Sequence, residues 1–158
     1  MVLGDPLENA ERLLAQGEDY ADANIAGAAL NCFRAAWEVL PEPRESQGLA
    51  VRIQAAIADE CFFLGEWAGC RDAAQHAFRC GADPANPFLR LRLGQALFEV
   101  GEVAEAEQWF VPAFLAEGPS LFAAADPKYL ASFRGRLQPP QAGSPDAEPG
   151  AVADGGDM

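Results

Sequence analysis

One stretch of the chain has the pattern of two consecutive amphipathic helices. Between residues 86 and 119, apolar residues recur at helical spacing on both sides of Gly101. Asn86 can cap the first helix, and Pro87 suits its first turn. Gly118, followed by a proline, ends the second helix. The stretch therefore predicts a helical hairpin of about 34 residues, a length typical of units that repeat and stack.

Two further copies of this pattern precede it. Gly65 lies 36 residues before Gly101, and Cys70 and Ala77 precede their counterparts by the same 36 residues. Three markers at one offset predict a second hairpin of the same kind. Nearer the start, a small-aromatic-small set has the spacing of the last hairpin, with Asn24 at the place of the turn glycine. A first hairpin is therefore predicted there. The members of that set are Ala29, Phe33 and Ala36.

These markers resemble the tetratricopeptide repeat. The matching positions of the third hairpin hold Leu93, Gly94, Leu97, Gly101, Ala106, Phe110, Ala113 and Pro119. The resemblance implies an all-α fold, a superhelical stack of three such helical hairpins plus a C-terminal capping helix. We expect the repeats at about 10–43, 51–84 and 87–120 and the cap at 126–137, in one domain of residues 1–137. Asp126, followed by a proline, is expected to open the capping helix.

The charge of the chain limits its partners. The formal net charge is −13, and four of the 24 acids lie in residues 138–158, which leaves 20 acids against 11 bases. Such a surface repels nucleic acid and anionic lipid and favours a basic partner. Residues 138–158 hold four prolines and four glycines and no aromatic residue, so we expect a disordered acidic tail. The start of the sequence lacks signal-peptide features, and a cytoplasmic location is expected.

The residues that usually perform catalysis are sparse here. His76 is the one histidine, and no nucleophile motif or phosphate-binding glycine loop is present. The four cysteines form no C-x-x-C pair, so we interpret them as reduced thiols that act as small hydrophobes. We therefore expect a protein that is not an enzyme, with no cofactor and no metal.

Function is instead expected in the groove of the repeat stack, which the first helix of each hairpin lines. The helical phase, read with the resemblance, predicts a contact surface in which carboxylates alternate with aromatic residues. Such a surface suits a basic, partly apolar segment. The alternative is that the phenylalanines pack between hairpins. The predicted contact residues are Glu11, Glu18, Asp22, Arg52, Asp59, Phe62, Phe63, Phe88, Arg92, Gln95, Phe98 and Glu99.

A second resemblance covers about residues 84–133. This part is similar to small bacterial tetratricopeptide proteins encoded beside polymorphic toxins and regarded as their immunity proteins. The shared residues are Asn86, Pro87, Phe88, Leu91, Arg92, Leu93, Gly94 and Gln95, then Asp126, Pro127, Lys128 and Tyr129. The resemblance implies a protein that binds and neutralises a basic toxin domain.

Two other functions remain open. A secretion chaperone would hold an apolar segment of a translocator or effector in the same groove, and a scaffold subunit would use the repeats to join a larger assembly. A homodimer is a further alternative, since a short stack can leave an apolar end for a second copy. Heat-shock chaperone tails are disfavoured, because the paired lysines and asparagines that grip such tails in some tetratricopeptide proteins are not at these positions.

Overall fold

A computed structural model describes residues 4–137, and the predicted tail lies outside that range. Within it the chain is all α-helical, as predicted, with no strand and three short 3₁₀ segments. The helices are α1 (Pro6–Asp22), α2 (Ala26–Val39), α3 (Ala50–Phe63), α4 (Trp67–Arg79), α5 (Pro87–Glu99), α6 (Val103–Glu117) and α7 (Pro127–Arg134). Each helix packs mainly on the next one along the chain, so α1–α6 form three hairpins stacked in order.

The three hairpin turns share one backbone geometry. Gly65 and Gly101 have φ angles of 74° and 93°, and Asn24 has a φ of 62° at the equivalent place. Asparagine is one of the few other residues that enter this left-handed region without a large steric cost. In each turn the next residue's backbone N–H returns to a carbonyl of the preceding helix, as from Ile25 to Tyr20 at 2.9 Å. The sequence-based placement of Asn24 is thus confirmed.

Glycine and phenylalanine pack against each other in the first and third hairpins. A Cβ atom built on Gly94 would lie 2.5 Å from the Phe110 ring, and one on Gly17 would lie 2.5 Å from Phe33. No side chain larger than hydrogen fits there unless the ring moves. Both rings are fully buried, so they occupy the space that each glycine leaves between its two helices.

The C-terminal helix covers the open end of the stack. Asp126 caps α7 by accepting a hydrogen bond from the Lys128 N–H at 3.0 Å. Tyr129 and Phe133 are buried on the inner side of this helix, and the Phe133 ring stacks on Phe110 with 5.6 Å between centroids. Stacked repeats expose an apolar face at each end, and α7 closes one of them, as the capping-helix prediction expected.

Candidate protein-binding groove

A groove of about 560 Å³ opens along the stack between α3, α5 and the segment that leads into α7. The first helices of the second and third hairpins supply one side of it, and the 3₁₀ segment Pro119–Phe122 and α7 supply the other. Phe63, on its edge, is 64% exposed. The lining residues are Phe62, Phe63, Trp67, Leu91, Arg92, Gln95, Glu99, Leu121, Ala124, Ala125, Asp126, Lys128 and Tyr129. We call this the aromatic groove.

Arg92 is held at the centre of the aromatic groove by contacts from two helices. Its Nε donates to Asp59 Oδ1 at 2.8 Å, and its Nη1 donates to Gln95 Oε1 at 2.9 Å. Its guanidinium carbon lies 4.2 Å from the ring centroid of Phe62, a cation–π geometry. Three contacts fix this side chain, so it acts as part of the groove wall.

Glu99 forms a second ion pair, deeper toward α7. Lys128 Nζ lies 2.7 Å from Glu99 Oε2, and the Tyr129 hydroxyl donates to the same oxygen at 2.6 Å. Burial opposes ionisation of Glu99, but the hydrogen bonds from Lys128 and Tyr129 outweigh it and hold the pKa of this carboxyl below its usual value. Glu99 is therefore ionised at neutral pH, and its charge is compensated by Lys128. Burial and the neighbouring carboxylate together raise the pKa of Tyr129.

Several carboxylates that were predicted to alternate with aromatic residues on the contact surface are paired with cations. Asp59 and Glu99 are paired with Arg92 and Lys128. On the neighbouring α1–α3 surface, Glu18 accepts from Arg52 Nε at 3.0 Å. The physical reason is that packing brings each carboxylate against a cation from the next hairpin or from α7. Such a pair is distant along the chain, so the spacing within a helix does not reveal it. The groove is locally close to neutral, while the whole described surface remains acidic.

The predicted contact residues divide into two sets. Five of them line the aromatic groove: Phe62, Phe63, Arg92, Gln95 and Glu99. The other seven lie outside its lining: Glu11, Glu18, Asp22, Arg52, Asp59, Phe88 and Phe98.

The phenylalanines outside the lining have different surroundings. Phe98 is half-buried, with its ring edge-on to Tyr129 at 5.3 Å, so the alternative of packing between elements describes this residue. Phe88, in the first turn of α5, is 70% exposed.

Sequence reasoning missed the second side of the groove. Leu121, Ala124 and Ala125 belong to the connection between α6 and α7, and Lys128 and Tyr129 to the first turn of α7. The helix-start signal at Asp126 was present in the sequence, but it does not show that α7 faces α5 across a groove. That proximity comes from the packing of α7 on the third hairpin.

None of the four cysteines lines the aromatic groove. All four cysteines are free thiols, and burial raises the pKa of Cys70 to about 12. Within residues 4–137, no cluster of three or more histidine, cysteine or acidic side chains is placed to hold a metal ion. In the same range, no helix has the length and apolarity needed to cross a bilayer.

Comparison with known proteins finds similarity in structure alone. No protein-family model and no curated protein matches this chain. The crystal structure of MamA is similar with a TM-score of 0.62 at 17% sequence identity, covering 82% of this chain and 69% of that one. The first TPR of Spaghetti (RPAP3), bound to the HSP90 peptide SRMEEVD, gives 0.58 at 15% identity, covering 81% and 92%. These similarities confirm the predicted fold, a stack of helical hairpins of the tetratricopeptide type.

Proposed function

We propose that this protein is a non-enzymatic protein-binding module and that its aromatic groove receives a segment of the partner. The main observation is the position of Phe63, which leaves most of its side chain exposed beside Phe62, whose ring also contacts Trp67. Exposed aromatic side chains that cluster at a concavity are characteristic of binding hot spots. The similar TPR domain that binds a peptide supports a peptide-like occupant.

The charges favour a partner with an apolar anchor and a basic surface. Inside the groove, Arg92 and Lys128 are already paired, so an apolar side chain can enter without leaving a charge unpaired. Around the groove, residues 4–137 carry 20 acids against 11 bases, a field that accelerates association with a basic protein. Affinity would come from the aromatic residues and the association rate from the acidic surface.

More specifically, we propose that this protein is an immunity protein. It would bind a basic toxin domain and cover its active site, with surface carboxylates in place of the phosphates of a nucleic-acid substrate. The acidic surface and the resemblance of residues 84–133 to toxin-associated proteins support this role.

One observation favours the alternative of a secretion chaperone: the near-neutral, aromatic lining of the groove suits an extended apolar segment. A scaffold subunit would use the same groove within a larger assembly.

The test compares two exposed apolar side chains on different helices. The wild-type chain and the variants Phe63→Ala and Leu115→Ala are used as baits in native lysate, and the captured partner is then purified and titrated calorimetrically. Leu115 is 72% exposed on α6, outside the groove lining, so it is a matched control. We expect Phe63→Ala to weaken binding at least about tenfold and Leu115→Ala to leave it unchanged.

The outcomes separate the proposals. Loss of binding with Leu115→Ala but not with Phe63→Ala would place the partner on the outer helices and overturn the groove. Capture of a single folded basic domain supports the immunity role if its toxic activity is inhibited when this protein is added in equal amount. A secreted apolar protein held through an extended segment supports the chaperone, and several subunits of one complex support the scaffold.

A further inference from the structure

A second cleft adjoins the aromatic groove and contains a buried carboxyl group. It has a volume of about 280 Å³ and is lined by Ala21, Asn24, Ala26, Glu60 and Phe63. Phe63 lines both cavities, so its ring forms their shared wall. The cleft lies where the turn of the first hairpin meets α3. Its volume is below that of typical small-molecule sites and accommodates one long side chain.

Glu60 is only 6% exposed, and among residues 4–137 its carboxyl oxygens accept no hydrogen bond and form no ion pair, but they remain open to the cleft that Glu60 lines. The cation that acts on it, Arg92, donates instead to Asp59 and Gln95. Burial, reinforced by the Asp59 charge, raises the pKa of Glu60. A carboxylate in such a confined cleft is poorly hydrated, and a cation that enters the cleft would stabilise it.

We propose that this cleft receives a cationic side chain, arginine or lysine, of the bound partner and pairs it with Glu60. The exposed face of Phe63 would lie beside the guanidinium or ammonium group, an arrangement that favours cations. The inference deepens the proposed function, on which its biological meaning rests. A partner segment would place an apolar residue in the aromatic groove and, across Phe63, a basic residue in the Glu60 cleft.

The test uses single-residue probes, so it does not depend on finding the partner. Acetyl-arginine amide, acetyl-lysine amide and the neutral acetyl-norleucine amide are titrated into the isotope-labelled protein and followed by amide NMR. We expect saturable shifts at Ala21, Asn24, Ala26 and Phe63 with the cationic probes, with dissociation constants on the order of 1 mM. The neutral probe should leave these signals in place.

Two variants make the test specific. Glu60→Gln keeps the shape of the side chain and should abolish the shifts, whereas Glu11→Gln removes an exposed carboxylate of α1 and should preserve them. Equal shifts from the neutral probe, or shifts that persist in Glu60→Gln, would overturn the cation site. Once the partner is known, Glu60→Gln should weaken its binding about tenfold. If Phe63→Ala abolished partner binding while the cationic probes caused no shifts, the proposal for the aromatic groove would stand and the cation site at Glu60 would be wrong.

Discussion

The second and third hairpins share one backbone plan but place their aromatic side chains differently. In the third hairpin, Phe110 fills the space beside Gly94 and packs with Phe122 and Phe133 beneath the capping helix. In the second hairpin, the equivalent positions hold Ala58 and Ala74, both fully buried. The middle hairpin therefore needs no aromatic ring between its own helices.

Three aromatic residues of the second hairpin lie at the groove instead, while a fourth, Phe78, stacks on Trp109 of the third hairpin. The Phe62 ring is 5.8 Å from Phe63 and 5.5 Å from Trp67, and all three line the aromatic groove. The comparison shows that one interhelical space can be filled by a glycine with a phenylalanine or by two alanines. The second solution leaves large rings available for a binding surface. Three predictions test this difference.

The largest effect is expected where an aromatic ring is fully buried. Phe110→Ala should lower the free energy of unfolding by about 4 kcal/mol, because it removes a ring and leaves a cavity in the closed end of the stack. Phe63→Ala deletes the same group from the groove edge and should change stability by less than about 0.5 kcal/mol. Urea unfolding followed by circular dichroism measures both. Equal losses in the two variants would remove the distinction between a stabilising and a binding aromatic cluster.

A smaller effect is expected at the glycine beside that ring. Gly94→Ala should destabilise the protein by about 1–2 kcal/mol, because the new Cβ would lie 2.5 Å from the Phe110 ring and its overpacking outweighs the better helix propensity of alanine. The same urea titration measures the loss.

The matched control for this prediction gives the third hairpin the two alanines that the second hairpin has at the same positions. The double variant Gly94→Ala with Phe110→Ala recreates the alanine pair of the second hairpin. Its loss of stability should be smaller than the sum of the two single losses, by about 1 kcal/mol or more. Additive losses would show that the glycine and the ring do not share one space.

The smallest effect concerns the buried carboxyl of the second hairpin. Glu60→Gln should stabilise the protein by about 1 kcal/mol at pH 7, because it removes a negative charge that burial leaves poorly hydrated. Burial raises the pKa of Glu60 above its ordinary value of 4.5, so the folded state holds this proton more tightly than the unfolded state does. The stability that protonated Glu60 contributes to the wild type is therefore fully present below pH 4.5 and is lost as the pH rises through the pKa of Glu60 in the folded state.

The gain from Glu60→Gln should therefore disappear when thermal unfolding is measured below pH 4.5. Glu11→Gln removes the same charge from an exposed position and reports the general effect of lowering the negative net charge. A gain of equal size in both variants would show that net charge, rather than burial of Glu60, sets the effect.

Much of the fold was predictable because its markers are local. The turn residues Asn24, Gly65 and Gly101 need a left-handed backbone, and the residues that tolerate it are few. The small and aromatic positions around them recur at fixed spacing because helix geometry fixes which side chains face the neighbouring helix. These features identify hairpins one at a time, and their repetition predicts the stack.

The groove was predicted in part. Phe62 and Phe63 follow from helical phase, since they project from the inner helix of their hairpin. The ion pair of Asp59 with Arg92 was not predicted, because the two residues are 33 positions apart and meet only when α3 packs beside α5. Glu60 was missed for a related reason: on a sequence it is one acid among many.

The sequence by itself therefore determined the hairpins, their turns and the residues between paired helices, since all of these depend on contacts within a few helical turns. The tertiary structure alone decided which carboxylates are paired, which phenylalanines remain exposed and that α7 closes one side of a groove. Those outcomes depend on distances between side chains from different hairpins, and helix packing sets such distances independently of the spacing within any single helix.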